Sequence, residues 1–336
     1  MKTIPVFCIF VSIEASFFPL YADSGRTGLA GLNDLTLSLN SQFGMLWGVG
    51  EEQVYENDDS EGLLSQLLWD IKPLWYAGMG LEFSQKDPMP KSGVFGTLSV
   101  KFGIPAGSGV MEDRDWLAPG AELSNFSRHD NLTEGAMILD LAVGLSIPAW
   151  NIMTFRFSLG LSYTRFSWSA RDGYYRYAED AAHKPLPLTA SVPAVSMSGT
   201  VLSYSQDWIA LPLCLRVSLF PTRLFSGAIF CGAGPVLHFW GADNHYARIN
   251  TVYYGQFIDE AGGGYLLEPG GEFRFSPLKT FSLSLRVSWR DISATPHALS
   301  FGRHTGYGKR TWQFLGNTAG GRLRGMDLGI GLEVRL

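Results

Sequence analysis

The chain has 336 residues and a formal net charge of −5, a length ordinary for a barrel or sandwich that runs past two hundred residues without dividing. Its acidic balance leaves no basic footprint and excludes nucleic acid as a partner. Charged residues make up only 17%, aromatics reach 13% and glycines number 39, which suits a strand-rich protein facing lipid better than a water-exposed globule.

Residues 1–22 read as a secretory signal: Met1-Lys2, an apolar stretch from Ile4 to Leu20, then Leu20-Tyr21-Ala22 before Asp23. Interruptions at Pro5, Glu14 and Pro19 favour cleavage over a membrane anchor. Residues 23–336 then form a single barrel domain. No later apolar run reaches eighteen residues, since the longest candidate, Ile209 to Phe220, is broken by Arg216. Helical spanning is therefore excluded.

Period-two alternation recurs from end to end and predicts strands. In the first, Leu35, Leu37, Leu39, Phe43, Met45, Trp47 and Val49 share one parity; in the second, Leu67, Trp69, Ile71, Trp75, Met79, Leu81 and Phe83 do. The pattern continues through Val94–Ile104, Met137–Ile147, Phe155–Leu161, Leu211–Leu219 and Phe281–Trp289, and ends in Met326–Leu336. Less regular stretches at Val201–Trp208, Phe225–Trp240 and Gln256–Phe275 complete ten strands. Short connections near Ser84–Gly93, Ala149–Met153, Phe220–Leu224 and Ser276–Thr280 alternate with long ones near Val110–Thr133, Asp172–Thr200, Gly241–Gly255 and Asp291–Gly325. The predicted fold is all-β, a ten-stranded antiparallel transmembrane β-barrel with long extracellular loops and short periplasmic turns. Arg156, Arg216 and Arg286 fall on the lumen parity of a barrel narrow enough to be filled by its own side chains.

Cys8 leaves with the signal, and Cys214 and Cys231 lie equally far from the Phe220–Leu224 turn. In a tight hairpin they are cross-strand partners able to bridge in an oxidising compartment. Equally, they are two small apolar residues in neighbouring strands.

Two tetrads carry candidate chemistry. In Asp243-Asn244-His245-Tyr246, residues two apart in an extended segment project from one face, so Asp243 can fix the tautomer and orientation of His245. In Asp113-Arg114-Asp115-Trp116 the same spacing puts two carboxylates together, each raising the other's cost of ionising. The first follows the seventh strand and the second follows the third. Both counts are odd, so both tetrads emerge on the same long-loop rim. There is no G-x-S-x-G elbow, no H-E-x-x-H pair and no Cys on that rim, so neither a serine nucleophile nor a metal is expected. His183, His238, His297 and His304 read as structural or solvated.

Taken with Ser127-Arg128-His129, Arg165-Phe166-Ser167-Trp168-Ser169-Ala170, and Val54-Tyr55 followed by Ser65-Gln66-Leu67 and Trp69, the two tetrads resemble the omptin family of outer-membrane endopeptidases, in family order over nearly the whole mature chain. The resemblance implies an omptin-type aspartic endopeptidase, monomeric in outer-membrane lipid, acting on polypeptides at the cell surface without a cofactor. Asp243 orients His245, which takes a proton from water held by Asp113 and Asp115. Family members prefer to cut next to basic residues. Glu52 matches one substrate-binding acid, whereas Gly241 stands where a second is expected and Asn125 where a neighbouring subsite has one. Arg165 matches one lipid-phosphate arginine, but Asp207 replaces another, which leaves lipopolysaccharide dependence open. The competing reading is a non-catalytic barrel, an adhesin or receptor working through its loops; a third is a pore.

Overall fold

The computed structural model describes residues 35–56, 62–85, 93–116, 122–149, 152–180, 182, 184–246, 254–295, 298–304 and 311–336. The segment read as a signal, His183 and His297 lie outside them. Strands run in the order β1 (Leu35–Tyr55), β2 (Leu63–Gln85), β3 (Gly93–Gly103), β4 (Ala106–Asp115), β5 (Asn125–Ala149), β6 (Met153–Tyr177), β7 (Val195–Ser196) and β8 (Thr200–Ala210). They continue with β9 (Leu213–Leu219), β10 (Phe225–His245), β11 (Tyr254–Ala261), β12 (Tyr265–Leu278), β13 (Phe281–Ser293), β14 (Ala298–His304) and β15 (Trp312–Arg335).

These strands occupy ten positions in a closed antiparallel ring. Four positions are split lengthwise: β3 with β4, β8 with β9, β11 with β12, and β13 with β14. Two of the splits fall beside Pro105 and Pro212, which cannot donate to a ladder. A third falls at Gly263-Gly264, where a Cβ at position 264 would lie 1.9 Å from the Ser293 carbonyl oxygen. The ring closes where β15 pairs with β1 from Ser38↔Arg335 to Tyr55↔Thr318. Much of what the sequence suggested as long loops is strand, because β4 extends through Asp115 and β10 through His245.

The predicted apolar parity faces outward in a continuous belt, with Met79, Leu213, Ile229 and Ile330 each more than three-fifths exposed. Strand β2 departs from it. Leu67, Trp69 and Ile71 share the parity of Trp75 and Met79 yet are buried inside. The cause is a bulge: Leu46 pairs with Leu74 but Gly48 with Ile71, so β2 carries an extra residue and its faces exchange. Register also separates the cysteines. Cys214 opposes Gly232 and Cys231 opposes Leu215, one step from alignment, which turns the two thiols to opposite faces; both are free.

Inside, the chemistry is layered. Towards the short turns the lumen holds ion pairs, among them Arg156–Glu82 at 2.7 Å, Arg216–Glu272 at 2.9 Å, Arg286–Glu268 at 3.0 Å and Lys101 with Asp327. The three arginines assigned to the lumen are thus neutralised there and do not line an open channel. Above them sits an aromatic slab. Trp168 packs against Phe166, Trp69 and Tyr204 at ring-centroid distances of 5.5, 6.0 and 6.0 Å, and Trp208 against Phe239 at 4.3 Å. The walls come close enough that Gln206 Nε2 donates across the lumen to the Glu51 carbonyl at 2.7 Å, and a Cβ at Gly50 would lie 2.6 Å from the Trp168 ring.

Trp168 is fully buried, so Trp168→Ala removes its transfer energy and leaves a cavity that rigid walls cannot close, at a cost of about 3–5 kcal/mol. Guanidinium unfolding of the refolded barrel should show that loss; a midpoint within error of wild type would mean the slab does not support the fold.

Candidate active site

Two rows of inward residues face each other above the slab. On one wall, register aligns Gly321, Glu52, Leu67, Asp113 and Ser127 across β15, β1, β2, β4 and β5. On the other it aligns Gln206, Gly241, Asp259 and Ser300 across β8, β10, β11 and β14. Directly opposed residues project to the same face, and every member of both rows is buried. The outward surface at this level carries Glu112, Arg114 and Arg128, joined by ion pairs of 2.6 and 3.4 Å.

Continuing up β10 on the same parity come Asp243 and then His245. The Asp243 Oδ2 atom lies 2.5 Å from His245 Nε2, with the acid buried and the imidazole at 12% side-chain exposure. Phe257, opposite Asp243 on β11, meets the His245 ring edge-on at 5.2 Å. The carboxylate contact engages Nε2 and so leaves Nδ1 as the ring nitrogen not paired with Asp243. Asp113 and Asp115 occupy the end of β4, with Asp113 buried and Asp115 partly so.

Glu52 shows that the two walls converge. Its carboxyl is pushed well above the usual carboxylate range, first by burial and then by the charges of Asp243, Asp259 and Asp113 together. A residue on β1 thus feels acids from both tetrads. Burial, with Asp243 nearby, raises the Asp259 carboxyl to about 7. The same acids, after burial, push the Tyr204 phenol upward.

Of the residues selected from sequence, the structure gathers Glu52, Asp113, Asp243 and His245 around one cleft, with Asp115 beside Asp113. Arg165 is elsewhere, on the outer wall, half exposed and 3.4 Å from Asp207, which also accepts from the Tyr163 hydroxyl. His129 is separate too: its ring is held by Ser127 Oγ at 3.0 Å and by the Asp172 carbonyl, and burial lowers its pKa. Asp259 and Tyr204 were not selected. Asp259 sits in an irregular stretch whose pairing partner no local pattern reveals.

A family model described as the Omptin family matches residues 33–336. The chain is 26% identical to a plasminogen activator of Yersinia pestis over 253 residues, covering 69% of this chain and 73% of that protein. The crystal structure of the outer membrane protease OmpT from Escherichia coli superposes with a TM-score of 0.76 at 15% identity, over 93% of this chain and 100% of that one. That likeness bears out the all-β barrel.

Asp259 holds its proton more tightly folded than unfolded, so it binds more proton in the folded state between about 4 and about 7, and Glu52 is shifted in the same direction. Unfolding free energy should therefore fall as pH rises through that window. Denaturant titrations across pH should show a shallower fall for Asp259→Asn; a slope identical to wild type would mean that the Asp259 carboxyl does not titrate in that window.

Proposed function

The chain belongs to the Omptin family, and from that premise we propose that it is an endopeptidase hydrolysing peptide bonds of polypeptides exposed at the cell surface. It is a bacterial outer-membrane barrel protease with its site on the extracellular side. The observation that carries the reading is the Asp243–His245 contact at 2.5 Å, set opposite a wall that bears Asp113.

In this reading a water in the cleft is the nucleophile. Asp243 accepts from Nε2–H, which fixes the tautomer and stabilises the imidazolium as the ring's other nitrogen takes the water's proton. Asp113 and Asp115 hold that water from the facing wall as hydrogen-bond acceptors. His245 then returns the proton to the departing amine, so no covalent intermediate is required. Glu52 lies below Asp243 and offers a buried acid to a basic side chain beside the scissile bond. On the outer wall, an anionic lipid head group approaching Arg165 would compete with Asp207, which weakens any dependence on lipopolysaccharide.

His245→Ala and Asp113→Ala should each lower cleavage of exposed peptides by at least about a hundredfold, the scale of losing general-base or preorganised electrostatic help. The β-sheet circular dichroism and unfolding midpoint should persist. Undiminished turnover in either folded variant defeats the assignment.

A further inference from the structure

Ser127 and His129 lie two residues apart on the inner face of β5 and are 3% and 2% exposed. Ser127 is the register partner of Asp113, in the row that runs on to Leu67 and Glu52. His129 stands one step nearer the slab, and both its ring nitrogens are engaged. Nδ1 meets the Asp172 backbone carbonyl, and Nε2 lies 3.0 Å from Ser127 Oγ. A carbonyl can only accept, so Nδ1 carries the hydrogen. Burial lowers the pKa of the ring and keeps it neutral, which leaves a lone pair on Nε2 and makes the serine hydroxyl the donor.

The backbone is bent to make that contact. Arg128 pairs with Tyr174 and Asp130 with Arg171, so His129 alone faces Asp172 and Gly173, a bulge with its extra residue on β6. Asp172 has a φ of 53°, the one positive value at a non-glycine position among the described residues, and Gly173 follows at 90°. A Cβ at 173 would lie 2.1 Å from the Arg128 carbonyl oxygen. Gly199, just before β8, clips the turn: the Asp172 N–H donates to its carbonyl at 2.9 Å, and the Asp172 carboxylate accepts its N–H at 2.9 Å. Strain of this kind persists only where the surroundings hold it, and it gathers at sites that need a group fixed. Here it aims one carbonyl at one ring nitrogen.

We propose that His129 is a positioning residue for the hydrolysis: by taking the Ser127 hydroxyl hydrogen bond it turns the serine oxygen into an acceptor beside Asp113, where that oxygen helps to hold the attacking water. The inference rests on the protease reading above. Without the ring, the hydroxyl swings its hydrogen towards the Asp113 carboxylate, a stronger acceptor on the neighbouring strand, and becomes a donor that competes with the water.

The test separates the two ring nitrogens. His129→Asn keeps a donor where Nδ1 stands but offers Ser127 no acceptor, whereas His129→Gln keeps an acceptor where Nε2 stands. On the refolded full barrel and an unstructured peptide that wild type cuts, His129→Asn should lower kcat about tenfold, the scale of one hydrogen bond, with KM and the unfolding midpoint little changed. His129→Gln should recover most of that loss. In a Ser127→Ala background, itself slowed, His129→Asn should cost nothing further, because the group through which it acts is gone. A role confined to holding the β6 turn gives the reverse order, glutamine worse than asparagine, and losses that add; either result overturns the proposal. If the asparagine variant does not refold, Ser127→Thr, which keeps the hydroxyl, should turn over faster than Ser127→Ala, and equal rates overturn the proposal as well. Nitrogen NMR of isotope-labelled histidine should show His129 with its hydrogen on Nδ1 and an Nε2 signal that moves in Ser127→Ala; a hydrogen on Nε2 overturns it too. A wild type that cuts no peptide defeats the protease reading and this role with it, and spectra in which Ser127 still donates to the ring would then show that the reading failed and the geometry did not.

Discussion

Closure of the ring between β1 and β15 is the interaction on which the remaining structure depends. A closed sheet has no free edge, but it also gives every inward side chain a fixed set of neighbours, with nowhere else to turn. In a lumen narrow enough for Gln206 to reach the opposite backbone, those neighbours include residues hundreds of positions away. The layering follows from this. Charged groups facing inward neutralise one another near the turns, aromatic rings fill the middle, and the acids that remain have only the upper opening to face.

The slab links stability to chemistry. By sealing the cleft from below it removes water from Glu52, Asp259 and Asp243, and desolvation is the leading cause of the raised carboxyls at Glu52 and Asp259. The same rings dictate geometry at finer scale: the Phe239 ring would lie 2.4 Å from a Cβ at Gly321 and 3.1 Å from one at Gly241, so glycine holds both positions beside it. Packing that supports the barrel thus decides where a charge can be placed in the site.

Period-two alternation made ten positions and the odd-strand placement of both tetrads legible, because a closed sheet repeats one rule all the way round. The Asp243–His245 contact was legible for a related reason: two residues apart on one strand need no tertiary information. What stayed hidden depended on register between strands. A single step moved Cys214 and Cys231 to opposite faces, and one extra residue in β2 turned Trp69 inward. Asp259 was out of reach because its position in the row is set by pairing with Gly241, across a connection whose length does not fix the alignment.

A row of opposed residues, not a strand, is therefore the unit in which this site should be compared with its relatives. Along β10 alone, Gly241 leaves this level of the inner face without a side chain. Across β8, β10, β11 and β14 the row still delivers one buried carboxylate to the same inner face, and Glu52 still meets it from the facing wall. Asp259, one strand along from Gly241, sets its carboxyl near Asp243, while Tyr204 and Phe239 occupy the space beside Gly241.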